Sequence, residues 1–204
     1  MTRHRILAAA LCVGALVTPP GARAQAEPTP PQTVQAFCDA LLRAMKLGPT
    51  IGFSGRRSLL EPEIRRALDL PLMTRLVMGP PWRGLTTDQR EQLVSAFSQF
   101  SIATYANRFS SYSGESFTVD PSPTQLESGD VIVHTQLKTN DPEPVKLDYL
   151  MRDGNGRWQV IDVFLSGTIS ELAARRSEFS SVIRQGGAPA LIELLRKKTA
   201  ELSG

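Results

Sequence analysis

The chain has 204 residues, 23 of them Lys or Arg and 20 Asp or Glu, with 21% charged residues overall, a composition that fits a globular domain and excludes a disordered one. The basic excess sits at the start: a cut after Ala24 removes Arg3, Arg5 and Arg23 and no acid, leaving 20 of each sign, so the pI of about 9.1 does not argue for nucleic-acid binding. Of the two cysteines, Cys12 lies in the leader, which leaves Cys38 alone and excludes an internal disulfide framework.

Arg3, His4 and Arg5, the apolar run Ile6 to Val17 and the small-residue pattern Ala22-Arg23-Ala24 read as a secretory signal over residues 1–24. The run is roughly a dozen residues, short of the about 20 that a membrane span needs. Residues 25–31 form a proline-rich lead, expected to be extended, and residues 32–204 form one domain. From Gln32 to Leu47 the residues Val34, Phe37, Leu41, Leu42 and Met45 recur at helical spacing, and Gly48-Pro49 is expected to end that helix. Cys38 falls near the inner stripe; with no base beside it, it reads as a small buried apolar residue and not as a nucleophile. Arg56 to Leu68 and Leu72 to Met78 are two shorter helices with Pro71 in the first turn of the second, and Gly79-Pro80-Pro81-Trp82 is a rigid break. Thr86 with Gln89 reads as a capping box that opens a long helix reaching Phe109, whose stripe carries Leu93, Phe97, Phe100 and Thr104 with Tyr105 beside it.

Beyond Gly114 the pattern alternates. Ser116 to Asp120 and Asp130 to Thr139 are strands, and Val145, Leu147, Tyr149 and Met151 stack on one face of a third with Lys146, Asp148 and Arg152 on the other. Asp153-Gly154-Asn155-Gly156 supplies a tight reversal, and the return strand Trp158 to Leu165 is apolar on both faces except at Asp162, so it is expected to be covered on both sides. Gly167 breaks it, Ser166 or Thr168 caps the next helix, and Gly186-Gly187 separates Ser170 to Arg184 from a last helix, Pro189 to Leu202. The fold class is therefore α+β, a twisted antiparallel four-stranded meander wrapped by N- and C-terminal helices.

Catalytic chemistry finds little support in these residues. The mature chain has one histidine, His134, and no cluster that would hold a metal; no nucleophile elbow or phosphate-cradling loop occurs. A Cys38–His134 pair is neither required nor forbidden. Asp162 reads as structural, accepting hydrogen bonds near a helix start or pairing with an arginine. Two other classes stay open: a small-substrate isomerase or hydrolase with Asp148, Asp162 or His134 as base, and a cell-envelope protein-interaction module.

The run Asp69-Leu70-Pro71 through Gly79 to Trp82, the start Thr86-Thr87-Asp88-Gln89-Arg90, the passage Tyr112-Ser113-Gly114-Glu115 and above all Gly154 to Glu178 resemble the MlaC family of periplasmic lipid-binding proteins, also called toluene-tolerance auxiliary proteins. Within it the sequence is most similar to the hopanoid-associated HpnM branch. The resemblance covers residues 32 to 198; one departure is Pro80 and Pro81, where relatives have an arginine and an aromatic. It implies a carrier, acting as a monomer and without cofactor or metal. Such a carrier moves phospholipid or a hopanoid through the periplasm between an inner-membrane ABC transporter complex and an outer-membrane lipid complex. On this reading Leu76, Val77, Phe97, Tyr105, Val133, Leu147, Tyr149 and Val163 line an apolar cavity between sheet and helices, with Arg or Lys side chains at its mouth meeting the phosphate.

Overall fold

A computed structural model describes residues 27–203 apart from residue 155. The expected secretory signal, residues 1–24, lies outside the described residues. The first helix, α1 (Pro30–Ala67), begins two residues earlier than expected: Pro30 and Pro31 occupy its first turn, where the missing N–H costs nothing, and Gln32 Oε1 accepts from Thr29 N at 2.9 Å. It also runs through Gly48-Pro49 and breaks at Gly52 instead, where φ is 61°. Gly48 serves a close approach, not a stop. A Cβ there would lie 2.2 Å from the carbonyl oxygen of Ser110, so only glycine lets the two segments meet.

Arg56 holds that junction. Its Nε donates to the carbonyl of Ala106 at 2.8 Å and its Nη1 to that of Gly48 at 3.1 Å, two acceptors that lie at a helix end and just before a helix break. Such carbonyls carry the negative end of the helix dipole, which suits a buried guanidinium. The second helix, α2 (Leu70–Met78), is capped by Asp69, whose carboxylate accepts from Leu72 N at 2.9 Å, and a short 3-10 turn, Pro80–Gly84, follows. The capping box forms as expected at the start of α3 (Thr87–Arg108), with Gln89 N donating to Thr86 Oγ1 and Thr86 N to Gln89 Oε1.

The sheet then forms in chain order. Its strands are β1 (Ser116–Val119), β2 (Thr124–Gln125), β3 (Val131–Lys138), β4 (Val145–Gly154), β5 (Arg157–Leu165) and β6 (Ile169–Ser170). All neighbours are antiparallel in the order β1-β3-β4-β5-β6, and β2 pairs with β3 beside β1. The four expected strands are thus the body of the sheet, and two two-residue strands extend it. Val133 faces Tyr149 and Tyr149 faces Val163 across the ladders, so these side chains share the inner face with Val131 and Met151. One irregularity interrupts the pairing: Leu150 faces Asp162 while Met151 faces Val160, which leaves Ile161 as a bulge. Val160 to Val163 are all buried, so β5 is covered on both sides at its centre as the sequence predicts.

The last helix, α4 (Glu171–Leu202), breaks at Gly187. Its cap is Ser170, and neither Ser166 nor Thr168 fills that role, because β6 intervenes after the turn. Ser170 Oγ accepts from Ala173 N at 2.8 Å and donates to Asp162 Oδ2 at 2.5 Å. The helices cover the inner face, with Phe37, Leu41, Leu60, Ile64, Leu93, Phe179 and Leu191 in one continuous core with the sheet. The α1–α2 junction is tied to β5 by Asp69 N donating to Val160 O and by Gln159 Nε2 donating to Arg66 O. Among the described residues no helix is long and apolar enough to cross a membrane.

Candidate functional site

The inner face of the sheet and the helices above it meet through aromatic rings. Tyr149 on β4 stands edge-on to Phe37 on α1 with centroids 6.2 Å apart, and Phe37 is edge-on to Tyr105 on α3 at 5.4 Å. Tyr105 stacks on Phe109 at 5.9 Å, and Phe109 tilts against Phe117 on β1 at 6.4 Å. The series runs from the fully buried Tyr149 to the half-buried Phe117. Burial pushes both Tyr149 and Tyr105 hydroxyls up, and the Cys38 thiol, buried beside Tyr149, is pushed up to about 12, its desolvation outweighing the Tyr149 hydrogen bond. Cys38 is the small buried residue the sequence predicts.

The residues expected to line a cavity divide into three groups. Val77, Phe97, Val133, Tyr149 and Val163 are buried between the layers, and Tyr105 and Leu147 are half-buried at its margin. Leu76 is 38% exposed and faces outward. Between the layers lies an interior in which Phe37 meets Tyr105 and Tyr149 edge to face. What opens into it is a cleft of about 40 Å³ between α2, α3 and α4, walled by Met73, Phe97, Phe100, Thr104 and Leu172. Phe97 is the one predicted lining residue that reaches this cleft. Phe100 lies on the same predicted stripe, and Met73 is an ordinary member of a short apolar helix, so no separate signal in the sequence marks either as lining.

Beside the cleft lies a larger depression of about 300 Å³, and the two share Phe100, Thr104 and Arg175. Arg175 sits over the Phe100 ring at 5.0 Å, within range of a cation–π contact. Around it, Arg108 pairs with Glu171 at 2.7 Å, and Glu178 accepts from both Arg175 at 2.9 Å and Lys198 at 2.8 Å. Although desolvation opposes ionisation of Glu178, the Lys198 and Arg175 hydrogen bonds prevail and hold its carboxyl below the usual range.

The outer face of the sheet is polar. His134 Nδ1 and Asp148 Oδ1 are 3.0 Å apart there, Thr124 Oγ1 lies 3.0 Å from His134 Nε2, and the pair borders a depression of about 680 Å³. The structure therefore brings together two of the three candidate bases. Asp162 stands apart with its carboxylate engaged at the start of α4, accepting from Leu172 N, Val163 N and Ser170 Oγ. Cys38 and His134 lie on opposite sides of the sheet, which removes the Cys–His pair: Cys38 touches the inward Tyr149, while His134 pairs with the outward Asp148. Among the described residues no group of three or more His, Cys, Asp or Glu could hold a metal.

Residues 35–197 match the family model described as MlaC protein. A phospholipid-binding protein from Ralstonia solanacearum, solved in complex with a phospholipid, is similar in structure with a TM-score of 0.72 and 26% sequence identity, over 84% of this chain and 97% of that one.

Proposed function

The chain belongs to the MlaC family, and from that premise we propose that it is a periplasmic phospholipid carrier, the soluble lipid-binding component of an ABC-transporter-linked system between the two membranes. The observation that carries the reading is the phospholipid bound by a structural relative that this chain matches along 97% of its length. The interior supports it chemically: buried apolar and aromatic side chains from α1, α3 and the sheet face one another, and a cleft opens onto them. No catalytic group is needed for this task.

Sheltering an acyl chain of about sixteen carbons from water is worth on the order of 12 kcal/mol at about 0.8 kcal/mol per methylene. The bilayer offers the same shelter, so a carrier has only to match it, and partner complexes at each membrane bias loading and release by binding one state better than another. A cleft of about 40 Å³ falls well short of the roughly 300 Å³ at which small-molecule sites begin. Loading therefore requires α2 or α4 to move away from α3, with Phe97, Tyr105, Val133, Leu147, Tyr149 and Val163 becoming the lining. The cargo is a phospholipid or, alternatively, a hopanoid, and the carrier acts as a monomer, cut after Ala24.

Mass spectrometry of gently purified protein tests this reading. A stoichiometric diacyl lipid or hopanoid supports it, and an empty protein favours an interaction module. Leu147→Glu is the informative variant, because Leu147 is half-buried whereas Val133 is fully buried and a charge there would unfold the chain. Loss of lipid with retention of the fold is expected; loss of the fold first marks Leu147 as ordinary core. One observation favours a small-substrate enzyme instead, the His134–Asp148 pair at the outer depression. That reading requires a small polar ligand and turnover abolished by His134→Ala, a change that leaves lipid uptake intact if the carrier reading holds.

A further inference from the structure

We propose that the depression walled by Arg108, Arg175 and Lys198 seats the phosphodiester of the carried lipid, and that the phosphate binds by displacing Glu171 and Glu178 from these cations. The inference rests on the carrier reading and names the chemical group that the carrier selects. Three cations and one carboxylate, Glu201, wall this depression, and it shares Phe100, Thr104 and Arg175 with the apolar cleft. A diacyl lipid needs that arrangement: an oxyanion site at the rim of an apolar opening, close enough that one molecule occupies both.

The carboxylates already occupying these cations mark what they can bind. Arg108 Nη1 meets Glu171 Oε1 at 2.7 Å, while Arg175 Nη1 and Lys198 Nζ meet the two oxygens of Glu178 at 2.9 and 2.8 Å. Guanidinium groups donate to phosphate oxygens in the same fork geometry as to carboxylate oxygens. The exchange costs little, because ion pairs with partly exposed members are weak in water, and these side chains are between 22% and 51% exposed. Asn107 adds an amide to the same wall.

Exchange at Arg108 also has a mechanical effect. The Arg108–Glu171 pair ties the end of α3 to the first residue of α4, and Glu171 borders the cleft itself. A phosphate that takes Arg108 releases this tie, so headgroup binding and widening of the cleft become one event.

The test measures lipid extracted from vesicles by the mature chain, using phosphatidylglycerol and, in parallel, diacylglycerol of the same acyl composition dissolved in neutral vesicles. The double variant Arg175→Gln, Lys198→Gln is expected to lose at least tenfold more phosphatidylglycerol extraction than diacylglycerol extraction, the smaller loss arising because Arg175 also borders the apolar cleft. Glu171→Gln, which removes a competing carboxylate without adding bulk and also loosens the tie to Arg108, is expected to raise phosphatidylglycerol extraction severalfold and diacylglycerol extraction by a clearly smaller factor. Equal losses of both lipids in the double variant, or no rise in Glu171→Gln, overturn the proposal while leaving the carrier reading standing. Failure of the wild-type chain to extract either lipid overturns both. Inorganic phosphate is expected to compete with phosphatidylglycerol; phosphate that raises the melting temperature without competing marks a site for free anion and also overturns it.

Discussion

Asp162 accepts a hydrogen bond from the backbone N–H of Leu172 at 3.0 Å, so a carboxylate on the central return strand closes the first turn of a helix 32 residues long. With Ser170 bonded to its other oxygen, this carboxylate satisfies donors that would otherwise be buried at the positive end of the helix dipole. Asp162→Ala is expected to lower the free energy of unfolding by about 2–3 kcal/mol in urea titration. Asp162→Asn, which keeps an acceptor oxygen, is expected to lose less than half of that.

Gly48 faces the Ser110 carbonyl where a Cβ would approach to 2.2 Å, and backbone cannot give way as a flexible side chain would. Gly48→Ala is therefore expected to cost about 1–3 kcal/mol, although alanine is the better helix former. Gly84→Ala, where a Cβ meets nothing within 4 Å, is the control and is expected to stay within about 0.5 kcal/mol of the parent. Thermal melts of the two variants side by side read out the difference.

Cys38 is fully buried and its thiol titrates at about 12, so almost no thiolate is present at neutral pH. Native protein is expected not to react with a disulfide reagent at pH 8 over hours, and to react stoichiometrically once denatured. Because the folded thiol titrates above the unfolded one, its contribution to stability is complete below about pH 8.5 and is lost as the pH rises toward 12. Cys38→Ala is expected to flatten that alkaline decline.

Arg152 holds Asp130 through two hydrogen bonds of 2.8 and 2.7 Å, and they keep the buried carboxyl below its ordinary range against the opposing effect of burial. A depressed carboxyl stabilises the fold above the unfolded value near pH 4, and that stability is lost as the pH falls through the folded value. Arg152→Gln is expected to shift the acid unfolding midpoint to higher pH. At pH 7 the loss is about 1–2 kcal/mol, kept small because the Arg152 side chain is 47% exposed.

Much of this architecture is legible in the residues because short-range chemistry fixed it. The Thr86–Gln89 box, the alternation of Val145 to Met151 and the Gly187 break each follow from local rules, and each appears where the sequence predicts. The helix stop expected at Gly48 does not occur, because a glycine required by a distant carbonyl looks the same in sequence as one that stops a helix. The cap at Ser170 is not legible in the sequence for a similar reason: the turn at Ser166-Gly167 leads into a two-residue strand whose pairing with β5 is tertiary. For the candidate site, periodicity identified inward faces, correctly for Val133, Tyr149 and Phe97, but misplaced Leu76, since an apolar residue on a nine-residue helix can face either way. Arg175 could not be singled out, as its significance comes from Phe100 beneath it and Lys198 beside Glu178, more than twenty residues further on.

Ile161 has no partner on the neighbouring strand, yet pairing is in step on both sides of it. It acts as a spacer whose effect is geometric: a strand with one extra residue bends and twists more strongly at that point, here the step just before Asp162. Deleting that single position would let both flanks of the ladder re-form with Asp162 still opposite Leu150, but would remove the bend between the start of the return strand, tied to the α1–α2 junction, and its end, tied to α4. The placement of those two helical parts relative to each other is thus set by how many residues the return strand contains, as well as by which ones.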